Sequence, residues 1–193
     1  MAIFHSFYLI LAIFVHAAGG KLFESDANKT LQEMTAKYGF RYEKYDVKTE
    51  DGYVLGLYRI PGVVGQVRGK RRPPVLLMHG MWADMMCWVW NDAERAPAFN
   101  LVRAGYDVWL GNNRGTRWSE RHERLDPKQK EFWDFSWEEF GTNDIPALIE
   151  KIKDETGFDK VSYIGHSQGT TQLLAGASLR PQFYEDNVNV AIL

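Results

Sequence analysis

Cysteine is nearly absent: Cys87 is the one cysteine in 193 residues, so no disulfide can close within the chain. Small disulfide-stapled folds are therefore excluded, and a chain of this length can bury a core without such staples. Cys87 reads as a small buried hydrophobe rather than a reactive thiol. Charge of one sign is also lacking. Twenty-five acidic residues offset 23 basic ones, for a net charge of −2, and no basic stripe of the kind nucleic acid requires is present. After Gly20 no apolar run is long enough to span a membrane. Internal repeats and low-complexity tracts are missing too.

Aromatic residues are plentiful: seven Trp, nine Tyr and eleven Phe. They fit a bulky core or a pocket for long apolar groups, and composition does not choose between the two. The start of the chain is a targeting segment. Ile3 to Val15 is apolar apart from His5 and Ser6, and Ala17-Ala18-Gly19-Gly20 suits signal peptidase. The expectation is a cleaved signal over residues 1–19 and a domain over 20–193, with a retained anchor as the alternative. Removal of the signal leaves no stable membrane span. Asn28-Lys29-Thr30 is a glycosylation sequon in what is then a secretory chain.

Ala27, Leu31, Met34 and Tyr38 follow helical spacing, and Gly39 ends the run. Tyr45, Val47 and Thr49 alternate with Lys44, Asp46 and Lys48 as in a half-buried strand, Asp51-Gly52 signals a hairpin turn, and Tyr53 to Ile60 returns. Residues 62–74 are Gly-rich and basic, with Arg68, Lys70, Arg71 and Arg72, and read as a solvated surface loop, with a processing site or partner patch as the alternative. From Val75 the pattern becomes alternating strand and helix. Strands are expected at 75–78, 106–110, 161–164 and from Val188, with helices at 97–103 and 170–179. A further helix carries Ile145, Leu148, Ile149 and Ile152 on one face, after a capping box at Ser136 to Glu139. Pro146 predicts a kink or two abutting helices. This alternation implies an α/β fold: a mainly parallel sheet with flanking helices and an N-terminal antiparallel hairpin.

The chemistry centres on Gly165-His166-Ser167-Gln168-Gly169, a G-x-S-x-G sequence between an apolar strand and a helix. Such a turn lifts a serine out at the strand end, with the positive end of the next helix behind it. Gly165 and Gly169 let the two backbones crowd together, and His166 completes the turn. A serine hydroxyl needs a base, and its tetrahedral intermediate needs donors. The Gln168 amide is one expected donor. The other is the Met81 amide, in the His79-Gly80-Met81 loop after the first parallel strand. Gly80 permits the tight turn there, and His79 is expected to hold that loop rather than act as base. No metal or cofactor is implied.

The chain resembles the acid lipase group of α/β-hydrolases, which includes gastric and lysosomal acid lipases. The likeness runs through Thr49 to Leu55, Tyr58-Arg59-Ile60-Pro61, His79-Gly80, Ala104 to Gly115, Glu131 to Ser136, and Gly165 to Thr171. It implies a secreted or lysosomal serine esterase that acts on neutral lipid esters, acylglycerols or sterol esters, at a lipid–water interface. It also implies Ser167 as nucleophile, with Met81 and Gln168 as the oxyanion hole. Trp82, Trp88 and Trp90 are weighed as an acyl pocket against core packing. In this family the acid and base follow the nucleophile, yet only 26 residues follow Ser167. His5, His16, His79, His122 and His166 do not occupy the base position. The expectation is an α/β-hydrolase domain truncated after the elbow, without its catalytic Asp and His and with an exposed hydrophobic sheet edge. A non-catalytic product that binds lipid or a partner, and an esterase or thioesterase of different substrate, are the rival readings.

Overall fold

The computed structural model describes residues 26–66 and 71–193. The chain divides into two compact units, Met1–Thr30 and Leu31–Leu193. Within the first, Asp26–Asn28 forms a single 3-10 turn, with Lys29 paired to Asp26 at 2.7 Å and Asn28 exposed. The expected signal segment lies outside the described residues.

The second unit opens with α1 (Leu31–Lys37), which buries Leu31 and Met34. The expected helix thus starts later than Ala27 and stops before Tyr38. The hairpin follows as β1 (Glu43–Lys48) and β2 (Val54–Ile60), antiparallel from Glu43↔Arg59 to Lys48↔Val54. Gly52 takes φ +99° at the turn, a conformation that only glycine adopts without strain. β3 (Pro74–Met78), α2 (Pro97–Arg103) and β4 (Asp107–Leu110) come next. A capped turn α3 (Trp137–Glu139), a π turn (Phe140–Asp144) and α4 (Ile145–Thr156) lead to β5 (Val161–Gly165). The chain then forms α5 (Gln168–Leu179), α6 (Pro181–Asn187) and β6 (Val188–Ile192).

The sheet order is β1-β2-β4-β3-β5-β6. β2 meets β4 antiparallel, whereas β4-β3, β3-β5 and β5-β6 are parallel. β3 is buried throughout, and its side chains alternate between two cores. Val75 and Leu77 join Phe99 and Val102 of α2 and Leu31 and Met34 of α1. Leu76 and Met78 join Leu148, Ile149 and Ile152 of α4 and Leu173 of α5. Both faces of the sheet are therefore covered, as the alternating sequence pattern implies.

Pro146 produces no kink within α4 but marks the start of a helix that abuts the preceding π turn, the second of the two expected outcomes. It sits in the first turn, where its missing N–H costs nothing, and the irregularity falls just before it as the π turn. Gly157 closes α4 in the left-handed region at φ +67°. The capping box at Ser136 is present, with Glu139 Oε2 accepting from the Ser136 N–H at 2.7 Å. Sequence reading did not anticipate α6. β6 forms the sheet edge, where Val190, Ile192 and Leu193 are each at least half exposed.

Candidate active site

Two loops meet because their strands are neighbours in register. β3 and β5 pair with Met78 opposite Gly165, so the loops that leave them run side by side. The His166 N–H donates to the Met78 carbonyl at 3.0 Å, extending the ladder by one step. Glycines set how closely they pack. A β-carbon on Gly169 would lie 2.5 Å from the Met78 carbonyl oxygen, and one on Gly165 would lie 2.7 Å from the Gly169 carbonyl. At Gly80 it would lie 3.1 Å from both Ser167 Cβ and His166 Nδ1. The turn of His79-Gly80 therefore presses directly on the serine.

Ser167 stands at the junction of β5 and α5 with φ +55° and ψ −113°, and it is exposed. Non-glycine residues rarely adopt positive φ, and those that do concentrate at functional turns. The strain is held by several bonds. The Ser167 carbonyl accepts from Thr170 N at 2.8 Å and Thr171 N at 3.3 Å, and the His166 carbonyl accepts from Gly169 N at 2.9 Å. Tyr163 donates its hydroxyl to the Gly169 carbonyl at 2.6 Å from the buried strand below. Among the described residues, neither the Met81 nor the Gln168 N–H donates to a backbone carbonyl. Gln168 opens α5, where helix amides lack partners within the helix and the local dipole favours negative charge.

Replacing Ser167 by glycine is expected to stabilise the fold by about 1–2 kcal/mol, because the strained backbone becomes an ordinary glycine conformation. Urea unfolding of the two proteins measures this. A destabilised variant would show that the side chain supports the fold, not merely the chemistry.

His79 is buried and bridges two loops. Its Nδ1 lies 2.8 Å from the Gly80 carbonyl and its Nε2 lies 3.3 Å from Asn113 N. One nitrogen must donate and the other accept, so the neutral ring fits both. Burial pushes its pKa below the usual histidine value, although the Gly80 bond opposes that shift. His122 is similarly committed: it faces the Asp51 carbonyl at 2.9 Å and accepts from Arg124 N and Leu125 N. His166 is exposed beside Gly80. Among the described residues, no set of three His, Cys, Asp or Glu side chains is placed to hold a metal ion.

The tryptophans after Met81 differ in burial. Trp82 is 97% exposed and has φ +60°, the second positive-φ non-glycine residue beside Ser167. Trp90 is mostly exposed, while Trp88 packs against the core. Cys87 is half-buried, and burial pushes its thiol up to about 12, which leaves it inert.

Sequence reading missed the polar frame around this site. Asn112 and Arg114 follow β4. The Asn112 amide donates to the Gly56 carbonyl at 2.9 Å and accepts from Met85 N at 3.0 Å, tying down the far end of the β3 loop. Arg114 donates from its backbone N–H and Nε to buried Asp144 at 3.0 and 2.8 Å, and it pairs with Asp51 of the hairpin turn. Its guanidinium lies 4.0 Å over the Tyr53 ring. Asp144 ends the π turn, and Gly141 of that turn packs backbone to backbone on α5, where a β-carbon would lie 2.5 Å from the Gln172 carbonyl. The helix behind Ser167 is thus braced from the hairpin through Arg114. These partners lie 63 and 30 positions from Arg114, too far apart for any local pattern to reveal them.

Comparison with known proteins agrees with this fold. Residues 31–92 match a partial alpha/beta-hydrolase lipase region, and residues 73–188 match the alpha/beta hydrolase fold. Lipase member K of Mus musculus is 45% identical over 159 residues, which cover 81% of this chain and 40% of that protein. Lysosomal acid lipase/cholesteryl ester hydrolase of Homo sapiens is 45% identical over 157 residues, covering 80% and 39%. Gastric triacylglycerol lipase of Mus musculus is 44% identical over 159 residues, covering 81% and 40%. The chain therefore spans about 40% of the length of the curated relatives it matches. Among solved structures, an esterase of Pyrococcus furiosus superposes with a TM-score of 0.52 at 20% identity, over 76% of this chain and 50% of that one, a likeness of fold.

Proposed function

Because the chain belongs to the acid lipase group of α/β-hydrolases, and matches its N-terminal part, we propose that it carries the nucleophile and oxyanion donors of a serine hydrolase of neutral lipid esters. Ser167 Oγ attacks the ester carbonyl carbon, the alcohol leaves with a proton, and water then releases the acid from the acyl-enzyme. The Met81 and Gln168 amides receive the negative charge that develops on the carbonyl oxygen. His79 keeps the Met81 loop in place as a neutral bridge. Gly80, Gly165 and Gly169 allow the close approach, and His166 is part of the turn.

The observation that carries this reading is the strained Ser167 backbone in a glycine-flanked strand-to-helix turn, beside an amide-bearing loop. Acylglycerols and sterol esters are the proposed substrates, met at a lipid–water interface. The names of the relatives support this choice, as does the exposed apolar Met81-Trp82 tip that follows Gly80 in the loop packed on the serine. Passage through the secretory pathway to the outside or to lysosomes is proposed from the N-terminal segment and the exposed Asn28 sequon. Among the described residues, no helix is long and apolar enough to cross a membrane.

One observation favours a second reading for these residues by themselves, namely lipid binding without turnover. The ring nitrogens of His79 and His122 are committed to backbone partners, which leaves Ser167 no base from either. A long-chain alkyl fluorophosphonate separates the two. The adduct is expected on Ser167 and is expected to vanish in Ser167→Ala. Its rate is expected to be slower than that of a complete serine hydrolase by up to a factor on the order of 10⁶. Labelling elsewhere in the chain removes Ser167 as nucleophile. Rapid labelling removes the base-free reading.

A further inference from the structure

At the end of the parallel strands opposite Ser167, where Asp107 opens β4, lies a groove of about 720 Å³. Three carboxylates line it, and two cations serve them, Arg59 being shared by a pair. Arg59 holds both oxygens of Asp107 at 2.8–3.1 Å and reaches Glu43 at 2.9 Å, and Lys151 holds Glu155 at 2.5 Å.

Among the described residues, the partners of three further guanidiniums in the groove are neutral groups. Arg41 NH2 donates to the Gln66 carbonyl at 2.6 Å. Arg72 donates to the Val102 carbonyl at 3.1 Å and to Gln66 Oε1 at 2.6 Å. Arg71 donates to the Gly157 carbonyl, and its guanidinium lies 4.5 Å over the Phe158 ring. Neutral acceptors orient a guanidinium but leave its charge intact. Each arginine has five N–H donors and uses only some of them here, so several remain to be shared by an incoming anion. The planar fork of donors matches the oxygens of a tetrahedral oxyanion, and holding the side chains beforehand lowers the entropy lost on binding.

We propose that this groove binds a phosphate or sulfate monoester through Arg41, Arg71 and Arg72, with Phe158 beside the ester's organic part. The site lies away from Ser167 and does not depend on the hydrolase reading. It also revises the sequence-level view of the basic stretch: Arg71 and Arg72 are not simply solvated but are tied to the ends of α4 and α2.

The test is calorimetric titration of the full chain with phenyl phosphate at low salt, together with co-sedimentation on phosphatidylcholine vesicles containing one part in five of phosphatidic acid. Saturable binding is expected to one or both, weakening as salt rises. The soluble arm marks a free monoester and the vesicle arm a lipid headgroup. Arg41→Gln with Arg72→Gln is expected to weaken binding at least about tenfold. Arg124→Gln with Lys128→Gln removes the same charge outside the groove and is expected to leave binding within about twofold. Circular dichroism melting checks that each variant folds; should the double variant not fold, Arg41→Gln alone, which breaks one hydrogen bond, serves. No saturable binding in either arm overturns the proposal, as does an equal loss in the Arg124/Lys128 variant.

Discussion

Arg114→Ala is expected to cost about 3–5 kcal/mol of folding stability, the range for breaking a buried ion pair from one side. The Arg114 and Asp144 side chains are 1% and 0% exposed. Loss of the guanidinium strands the Asp144 carboxylate without counter-charge and removes the cation over Tyr53. Burial already pushes the Asp144 carboxyl from 3.8 up to about 6, against the pull of Arg114. A carboxyl raised in the fold holds a proton that the unfolded chain has released, so its contribution is most favourable in acid and is lost as pH rises through the folded value. Without Arg114 that value climbs further. The gap between wild type and variant therefore widens above about pH 6 and narrows below it. Urea unfolding at pH 5 and pH 8 measures both effects. A loss under about 1 kcal/mol at pH 8, or no dependence on pH, would show that Asp144 finds another partner. Arg114→Met combined with Asp144→Leu is expected to recover much of the loss, because no buried charge is then left alone.

Gly169→Ala is the second large effect, about 3 kcal/mol or more, together with loss of any reaction at Ser167. The new methyl would meet the Met78 carbonyl oxygen at 2.5 Å and the His79 carbonyl oxygen at 3.1 Å. Both are backbone atoms of the strand and loop that carry the Met81 amide, so neither can turn aside as a flexible side chain would. The start of α5 must move off β3, and the serine moves with it. Gly105→Ala is the informative contrast. Its β-carbon meets nothing within 4 Å, and only its φ of +100° is unfavourable, so a cost of about 1 kcal/mol is expected. Denaturant midpoints for the two variants, with fluorophosphonate labelling of each, decide the matter. Equal losses would mean that crowding at the elbow is not what Gly169 relieves.

The two contrasts bear on how much of this molecule its sequence discloses. Val75 to Met78 and Val161 to Ile164 were legible as strands because short apolar runs bounded by turn residues have few other uses. The Ser136 capping box and the Ile145, Leu148, Ile149 and Ile152 stripe were legible because their geometry is local to three or four residues. α6 escaped notice because Pro181 to Asn187 is short and mostly polar, and Tyr184 and Asn187 are buried only through contacts made elsewhere in the fold. Pro146 was half legible: of a kink or two abutting helices the second is observed, and the choice between them depends on where the helix starts, which is poorly marked in sequence. Of the two readings weighed for Trp82, core packing fails, since a tryptophan is usually buried and here the residue is 97% exposed.

By itself, the sequence determined the alternating architecture, the hairpin, and the identity of the turn that carries Ser167, since each depends on residues close together in the chain. Tertiary structure alone decided what surrounds that turn. The pairing of Met78 with Gly165 sets the His79-Gly80-Met81 loop against Ser167. His79 meets Asn113 across 34 positions, and Arg114 reaches Asp51 across 63. Local patterns follow from backbone geometry over a few residues, whereas a buried charge or a neutral imidazole acquires its role only when distant segments exclude water around it.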